Sequence, residues 1–366
     1  MIQRKLTRVV DLNGKVKIGG DNPILIQSMT NTSTADAEAT IKQTQALFGA
    51  GGEAVRITVN DEEAVKALPE IRAAFPNKPL VADIHYDYTK ALAAIEAGFD
   101  KVRINPGNIG DKEKVKAVIE AAKKANVAIR IGVNGGSLDK DIEEKYGRTA
   151  QASVESAMQY VKMMEELDFH NFVLSIKWSD IPRMIEANRL LSKRTDYPLH
   201  LGLTEAGTVF SGSVLSAAAL SPLLLDGIGD TVRVSLTGDP VRELRTAKII
   251  FQGLGLKIFG PNLTSCPTCG RTEIDLNSMA EQVEERLMRE YSDYIMHVAV
   301  MGCIVNGIGE GKEADIGIAG GKGRGVIFKK GVQIGTYPEA ELIDKLFELI
   351  GYMVQNGEVK NIKKDE

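Results

Sequence analysis

The chain has 366 residues, of which 43% are hydrophobic and 26% charged, and its formal net charge is −4. This length allows two domains or one large barrel with an appendage, and the acidic balance argues against a general nucleic-acid binder. No apolar run reaches the roughly 18–20 residues of a membrane span, and the polar N-terminus lacks the apolar core of a secretory signal. We therefore expect a cytoplasmic protein without a membrane or nucleic-acid partner.

The chain up to Ile250 repeats one pattern, in which a short apolar run is followed by a turn and a stretch of helical period. Eight such runs predict strands, which begin at Pro23, Ala54, Leu80, Lys101, Ile129, Phe172, Leu199 and Thr231. Eight strand–helix units at this spacing favour a closed (β/α)8 TIM barrel, with an open doubly wound sheet as the alternative. The barrel is predicted over residues 1–251.

The chain changes character after the barrel. Residues 252–265 are glycine-rich and are predicted to form a linker, and residues 266–366 are predicted to form a small α+β domain. Within that domain the pattern predicts helices over residues 279–294 and 338–354, strands over 297–301 and 315–319, and a hairpin that turns at Lys330-Gly331.

Five of the eight predicted strands carry a cation between apolar neighbours. The period of two directs these cations into the barrel and their neighbours towards the helices. Inward cations need compensating anions, and converging arginines suit bidentate phosphate oxygens. We therefore predict a site for a small molecule with more than one phosphate, although ion pairs within the barrel layers are an alternative. The five cations are Arg56, Arg103, Arg130, Lys177 and Arg233.

Further polar side chains lie at the carboxyl ends of these strands, where barrel enzymes place their active sites. Asn134 and Ser235 are predicted to donate hydrogen bonds to phosphate or hydroxyl groups. Asp83 and Glu205 are the candidates for acid–base catalysis. His85 ends a strand and is a further candidate for the barrel mouth.

All three cysteines lie in the predicted second domain, Cys266 and Cys269 in Cys-Pro-Thr-Cys and Cys303 in Met-Gly-Cys-Ile-Val-Asn-Gly. Three thiolates are one ligand short of the four that a zinc ion or an iron–sulfur cluster takes. Glu310, in a glycine-rich segment predicted to be a loop, is the best candidate for the fourth ligand, and His297 is its rival. A carboxylate ligand is replaceable, so that a substrate oxygen could take its place. The spacing favours a [4Fe–4S] cluster, while a lyase or synthase barrel with a structural zinc module stays open as the alternative.

Three segments carry a resemblance to a known family. They read Gln-Ser-Met-Thr-Asn-Thr from Gln27, Asn-Leu-Thr-Ser-Cys-Pro-Thr-Cys-Gly-Arg from Asn262, and Met-Gly-Cys-Ile-Val-Asn-Gly-Ile-Gly-Glu from Met301. The chain resembles, over essentially its whole length, the 4-hydroxy-3-methylbut-2-enyl diphosphate synthases, iron–sulfur enzymes of the non-mevalonate isoprenoid pathway. The resemblance implies a dihydropteroate-synthase-like barrel followed by a cluster domain similar to those of sulfite reductases.

The resemblance also implies the reaction and its parts. The substrate would be 2-C-methyl-D-erythritol 2,4-cyclodiphosphate, which is opened and dehydrated with two electrons passed through a [4Fe–4S] cluster from flavodoxin or ferredoxin. Glu205 is the expected proton donor, and a homodimer is implied in which the second domain of one subunit closes over the other's barrel. The resemblance assigns the cluster to Cys266, Cys269, Cys303 and Glu310, with Asn306 beside it, and the diphosphate to Arg56, Arg103, Arg130, Asn134, Lys177, Arg233 and Ser235.

Overall fold

In a computed structural model the residues described are 2–109, 112–135, 138 and 140–362, without the side chains of Pro106, Lys140, Val305 and Asn306. The predicted position of Asn306 beside a cluster therefore lies outside what is described. The chain divides into two compact units, Met1–Leu256 and Lys257–Glu366. Over the described ranges no helix is long and apolar enough to cross a membrane.

A short antiparallel hairpin, β1 (Val10–Leu12) and β2 (Val16–Ile18), precedes the barrel. It turns at Asn13 and Gly14, both with positive φ, which is the geometry that an Asn-Gly pair favours. Its apolar side chains pack against the first inward residues of the barrel strands, among them Leu25 and Val81. The hairpin therefore closes the amino-terminal end of the barrel, a feature that the periodic pattern did not predict.

The first unit is a (β/α)8 barrel, which confirms the predicted fold class. Its eight parallel strands follow the order β8-β7-β6-β5-β4-β3-β10-β9, and a bridge between Leu174 and Leu199 joins the two ends of that order. The strands are β3 (Leu25–Met29), β4 (Ala54–Thr58), β5 (Leu80–Asp83), β6 (Lys101–Ile104), β7 (Ala128–Asn134), β8 (Phe172–Lys177), β9 (His200–Leu201) and β10 (Thr231–Val232).

Five helices in the described part of this unit begin after a capping side chain. Asp36, Asp61, Asp87, Thr149 and Asp180 each accept a hydrogen bond from a backbone N–H of the first turn that follows. The helices are α1 (Ala37–Gly49), α2 (Glu62–Ala74), α3 (Tyr88–Glu96), α4 (Pro106–Ile109), α5 (Lys112–Ala125), α6 (Lys140–Tyr146), α7 (Ala150–Glu166), α8 (Ile181–Arg194), α9 (Val209–Leu225) and α10 (Val241–Gly253).

The second unit is built on a mixed five-stranded sheet of order β11-β13-β14-β15-β16, with β12 and β17 paired separately. The predicted hairpin turn is confirmed, since Lys330 and Gly331 both have positive φ. In chain order the elements are β11 (Asn262–Ser265), α11 (Leu276–Glu290), β12 (Tyr294–Ile295), β13 (His297–Met301), α12 (Ile304–Glu310), β14 (Ile316–Gly321), β15 (Arg324–Lys329), β16 (Val332–Pro338), a 3-10 turn (Glu339–Glu341), α13 (Leu342–Gln355) and β17 (Lys360–Asn361).

Two local predictions for this unit differ from the structure. The end of the predicted linker forms β11, because its four residues pair in parallel with His297–Val300. The glycine-rich segment that contains Glu310 forms the helix α12, so the predicted loop is wrong. Its glycines serve close packing, since a Cβ on Gly307 would lie 2.8 Å from Cβ of Met301 and one on Gly311 would lie 2.5 Å from the ring of Phe328.

This packing predicts different effects for two glycines of one helix. Gly307→Ala should lower the free energy of unfolding by about 1–3 kcal/mol, because its new methyl group overlaps backbone-attached Cβ atoms of the sheet. Gly309→Ala is the matched control, because nothing lies within 4 Å of its Cβ position and alanine favours the helix. Denaturant unfolding of both variants measures this difference, and equal stabilities would contradict the close packing of α12.

Candidate functional site

A cavity of about 270 Å³ lies at the carboxyl ends of the barrel strands. It is lined by all five predicted cations, Arg56, Arg103, Arg130, Lys177 and Arg233. The other four residues predicted for the barrel site also line it: Asp83, Asn134, Glu205 and Ser235. His85 lies at the same mouth. Side chains from seven strands and the loops that follow them are thus brought together, as expected for parallel strands closed into a barrel.

The buried carboxylate Asp83 lies between two of the cations. Its oxygens are 3.7 Å from Nε of Arg56 and 3.4 Å from Nη1 of Arg103. Burial alone would raise the pKa of Asp83, but the two guanidinium groups outweigh burial and lower it to about 2. Asp83 is therefore ionised at neutral pH and acts as a counter-ion within the cavity.

A second buried carboxylate, Glu243, was not predicted from the sequence. It lies in the first turn of α10 and accepts hydrogen bonds from Nη2 of Arg233 at 3.2 Å and from the backbone N–H of Leu236 at 3.0 Å. It thereby fixes Arg233 and the segment that carries Ser235. The apolar–polar period of a surface helix carries no signal for such a residue, because its side chain faces the barrel mouth rather than solvent.

Positive charge exceeds negative charge in this cavity. Within the described chain, five cations face three carboxylates, those of Asp83, Glu205 and Glu243. Arg130 is 2% exposed, and its Nε and Nη1 have no hydrogen-bond partner among the described residues. Burial, followed by repulsion from Arg56 and Arg103, lowers the pKa of Arg130. Such a guanidinium needs an anion, and the planar donor group of an arginine suits the oxygens of a phosphate.

Glu205 has a backbone conformation that non-glycine residues rarely adopt. Its φ is +58°, in the loop that follows β9, and its side chain is exposed at the cavity mouth. Left-handed non-glycine residues cost free energy and cluster at functional sites. This backbone conformation accompanies a solvent-exposed carboxylate at the edge of the cation-lined cavity. Such a position suits a candidate for acid–base catalysis.

The three cysteines lie in the second unit as free thiols. Cys266 and Cys303 follow the carboxyl ends of β11 and β13, which are parallel neighbours with Ser265 opposite Val300. The backbone N–H of Gly302 donates to Sγ of Cys266 at 3.2 Å. Such N–H···S bonds surround thiolates that hold iron–sulfur clusters, so the residues present fit that group.

The exposed thiol of the knuckle has a favourable environment for ionisation. The backbone and the side chain of Arg271 hydrogen-bond to Cys269 and lower the pKa of its thiol. The backbone N–H of Cys269 donates to Oγ1 of Thr272 at 3.1 Å, which closes a tight turn. A thiolate is the form of cysteine that binds metal, so the local sequence prepares Cys269 as a ligand.

The two candidates for a fourth ligand lie in different places. Glu310 ends α12 and Cys303 is the N-cap residue of the same helix, seven positions earlier, which corresponds to about 10 Å along the helix axis. His297 opens β13, at the end opposite Cys303, and both of its ring nitrogens have partners, Oγ1 of Thr264 and the carbonyl of Glu313. Across the described residues no three His, Cys, Asp or Glu side chains converge to hold one metal ion. The ligand set of three cysteines and Glu310 stays a prediction.

Comparison with protein-family models decides the family. Residues 7–248 match the GcpE TIM-barrel domain, and residues 262–352 match the GcpE protein C-terminal domain. This chain belongs to the GcpE family. The second match begins with β11, in agreement with the observed start of the sheet in the second unit.

Similar proteins in this family extend over nearly the whole chain. A relative from Fusobacterium nucleatum, named 4-hydroxy-3-methylbut-2-en-1-yl diphosphate synthase (flavodoxin), is 52% identical over 351 residues, which cover 96% of this chain and 98% of the relative. A relative of the same name from Geobacillus thermodenitrificans is 49% identical over 366 residues, with 100% and 97% covered. The family resemblance drawn from the sequence motifs is therefore confirmed.

Solved structures support the architecture of the barrel. A dihydropteroate synthase from Stenotrophomonas maltophilia covers 68% of this GcpE chain and 98% of its own, with a TM-score of 0.51 and 16% identity. A sialic acid synthetase from Leptospira borgpetersenii covers 78% of this chain and 98% of its own, with a TM-score of 0.50 and 14% identity. At such identities the likeness shows the fold alone. The predicted similarity of the second domain to sulfite reductases stays a prediction.

The ion pairs of Asp83 predict a stability that depends on pH. Its pKa is about 2 in the folded chain and 3.8 ordinarily, so the carboxylate stabilises the fold above pH 4 and the gain is lost as pH falls towards 2. Asp83→Asn should lower the free energy of unfolding by about 2 kcal/mol at pH 7. Urea unfolding at pH 7, 5 and 3.5 checks this, with the exposed Asp141→Asn as control. A deficit that is absent at pH 7, or unchanged at pH 3.5, would contradict the counter-ion role.

Proposed function

We propose that this chain binds 2-C-methyl-D-erythritol 2,4-cyclodiphosphate in the barrel cavity and reduces it to (E)-4-hydroxy-3-methylbut-2-enyl diphosphate. In this reaction two electrons and two protons enter, the ring carbon–oxygen bond to phosphate breaks, and a hydroxyl oxygen leaves as water. The enzyme name of the GcpE relatives supports this assignment. The observation that carries it is the cavity itself, in which five cations converge and outnumber the carboxylates.

The barrel side chains hold the diphosphate in this proposal. The buried guanidinium groups of Arg103 and Arg130 offer N–H donors that have no hydrogen-bond partner in the described chain, and Lys177 lines the cavity beside them. Burial and then repulsion from Arg130 lower the pKa of Lys177, and a bound dianion favours its ammonium form. Asn134 and Ser235 line the same cavity as neutral donors to hydroxyl or phosphate oxygens. A cyclic diphosphate carries two negative charges, so its binding offsets the excess charge of the cavity.

Proton transfer falls to Glu205 rather than to Asp83. Asp83 is ionised by its ion pairs and has no proton to give at neutral pH. Glu205 lines the mouth of the cavity and is exposed, so its carboxyl group is in contact with solvent. We therefore propose Glu205 as the donor of the proton that leaves with the substrate hydroxyl, and Asp83 as the group that orients Arg56 and Arg103.

The second unit provides the redox part of the proposal. Cys266, Cys269, Cys303 and Glu310 would hold a [4Fe–4S] cluster, which supplies one-electron transfer and a Lewis-acidic iron when bound. The word flavodoxin in the names of the relatives supports flavodoxin as the electron donor, with ferredoxin as the other candidate. We further propose a homodimer, in which the second unit of one subunit serves the barrel of its partner.

Arg130→Ala tests the role of the cavity without altering the second unit. Loss of a buried, charge-assisted phosphate contact should lower kcat/KM for the cyclic diphosphate by about 100-fold or more, while the iron and sulfide content stays at the wild-type level. The control is Arg189→Ala, which removes an exposed arginine of the same barrel that pairs with Asp226. The measurement is anaerobic turnover beside iron, sulfide and zinc analysis.

Two results would contradict the proposal. Unchanged turnover of Arg130→Ala would show that the cavity is not the substrate site. Stoichiometric zinc without sulfide in the anaerobically purified chain would favour the alternative of a redox-silent lyase or synthase barrel with a structural zinc module.

A further inference from the structure

A layer of buried polar side chains lies inside the barrel beneath the cavity. The layer consists of Gln27, Lys101, His200 and Thr231, each at most 1% exposed. Lys101 and Thr231 precede the cavity residues Arg103 and Arg233 by two positions, so the period of a strand directs both pairs into the same interior. The interior of such a barrel is ordinarily filled by branched apolar side chains, so this interior polar layer requires an explanation.

Several atoms of the interior polar layer have no hydrogen-bond partner among the described residues. These atoms are Nζ of Lys101, Nε2 of His200, and both side-chain amide atoms of Gln27. The one hydrogen bond within the layer joins Nδ1 of His200 and Oγ1 of Thr231 at 2.7 Å. A buried ammonium without an acceptor is costly, which favours the neutral amine.

The charges that face Lys101 are almost all positive. Arg130 from β7 and Arg56 from β4 repel an ammonium at this position, and the uncharged ring of His200 faces it from β9. The carboxylate that attracts it, Asp100, immediately precedes β6 and is already engaged by Nζ of Lys15 at 2.5 Å and Nη1 of Arg72 at 2.8 Å. Burial, followed by repulsion from Arg130 and Arg56, lowers the pKa of Lys101 to about 7.

We infer that binding of the cyclic diphosphate is coupled to the uptake of one proton by Lys101 of the interior polar layer. The inference rests on the proposed diphosphate site. A dianion seated among the cavity cations offsets their excess positive charge, which removes repulsion from the layer beneath them and favours the ammonium form of Lys101. The free barrel thus avoids a sixth interior cation, and the occupied barrel accepts one.

The coupling has a definite sign. A ligand that raises the pKa of a group binds the protonated form more tightly, because the two equilibria are linked reciprocally. Affinity should therefore be constant below pH 6, weaken as pH rises through 7, and level off above the pKa of the complex. Burial and then repulsion from Arg130 also lower the pKa values of Lys177 and His200 well below their ordinary ranges, so the Lys101 variants are needed to assign the proton to Lys101.

Calorimetric titration with the cyclic diphosphate, in buffers of different ionisation enthalpy and without reductant, measures the protons taken up. The ligand does not titrate between pH 6 and 9, because each phosphorus keeps a single, strongly acidic hydroxyl. We expect uptake to approach one proton near pH 8 and Kd to rise by up to about tenfold per pH unit above 7. Two variants distinguish the effect of a positive charge at position 101 from the effect of its protonation. Lys101→Met should bind weakly at every pH, and Lys101→Arg tightly at every pH, both without proton uptake.

Lys116→Met is the matched control, since it removes an exposed lysine of α5 and should keep the wild-type profile. Binding without proton uptake between pH 6 and 9 would overturn the inference alone, as would uptake that persists in Lys101→Met. Failure to bind the cyclic diphosphate at any pH would contradict the proposed function as well. If neither Lys101 variant folds, the titration of Lys177→Met decides: uptake that begins near pH 7 and persists in this variant supports the inference, and its loss overturns it.

Discussion

Repulsion among five cations within one barrel is the constraint on which the rest of this structure depends. Charges of one sign in a low-dielectric interior destabilise the fold unless anions or hydrogen bonds compensate them. Asp83 and Glu243 compensate in part, from a strand end and from the first turn of α10. The remaining excess surrounds Arg130, whose guanidinium has donors without partners in the described chain. The diphosphate of the proposed function would compensate this remaining charge.

Apolar packing elsewhere in the barrel stabilises the fold against this repulsion. The hairpin of β1 and β2 seals the amino-terminal end with an apolar cluster, and capped helices cover the outer face of the sheet. The interior polar layer lies between the apolar cluster and the cavity. Along the barrel axis the side chains therefore change from apolar to polar and then to charged. Stability and ligand binding are therefore separated along the barrel axis, in the way that TIM barrels separate their two ends.

The barrel and its cavity could be predicted because both depend on patterns that repeat over a few residues of the sequence. The alternation that directs Arg56 and Arg130 inward is local, and closure of parallel strands then brings their carboxyl ends together. Glu243 was not predicted as a site residue because its ion pair with Arg233 forms across an irregular loop, for which hydrophobic periodicity makes no prediction. The helix α12 was missed because glycine ordinarily indicates a loop, whereas Gly307 and Gly311 here permit close contact with the sheet. Contacts of that kind depend on tertiary packing and leave no local signal.

We propose that the cation-lined cavity and the cysteine-bearing unit together perform one reductive reaction on a cyclic diphosphate. Anaerobic incubation of the chain with 2-C-methyl-D-erythritol 2,4-cyclodiphosphate and a strong one-electron reductant, with the products identified by mass spectrometry, is the decisive experiment. We expect conversion to the linear, singly hydroxylated diphosphate with two electrons consumed for each molecule. Recovery of the cyclic diphosphate unchanged, from a chain shown to contain iron and sulfide, would contradict it.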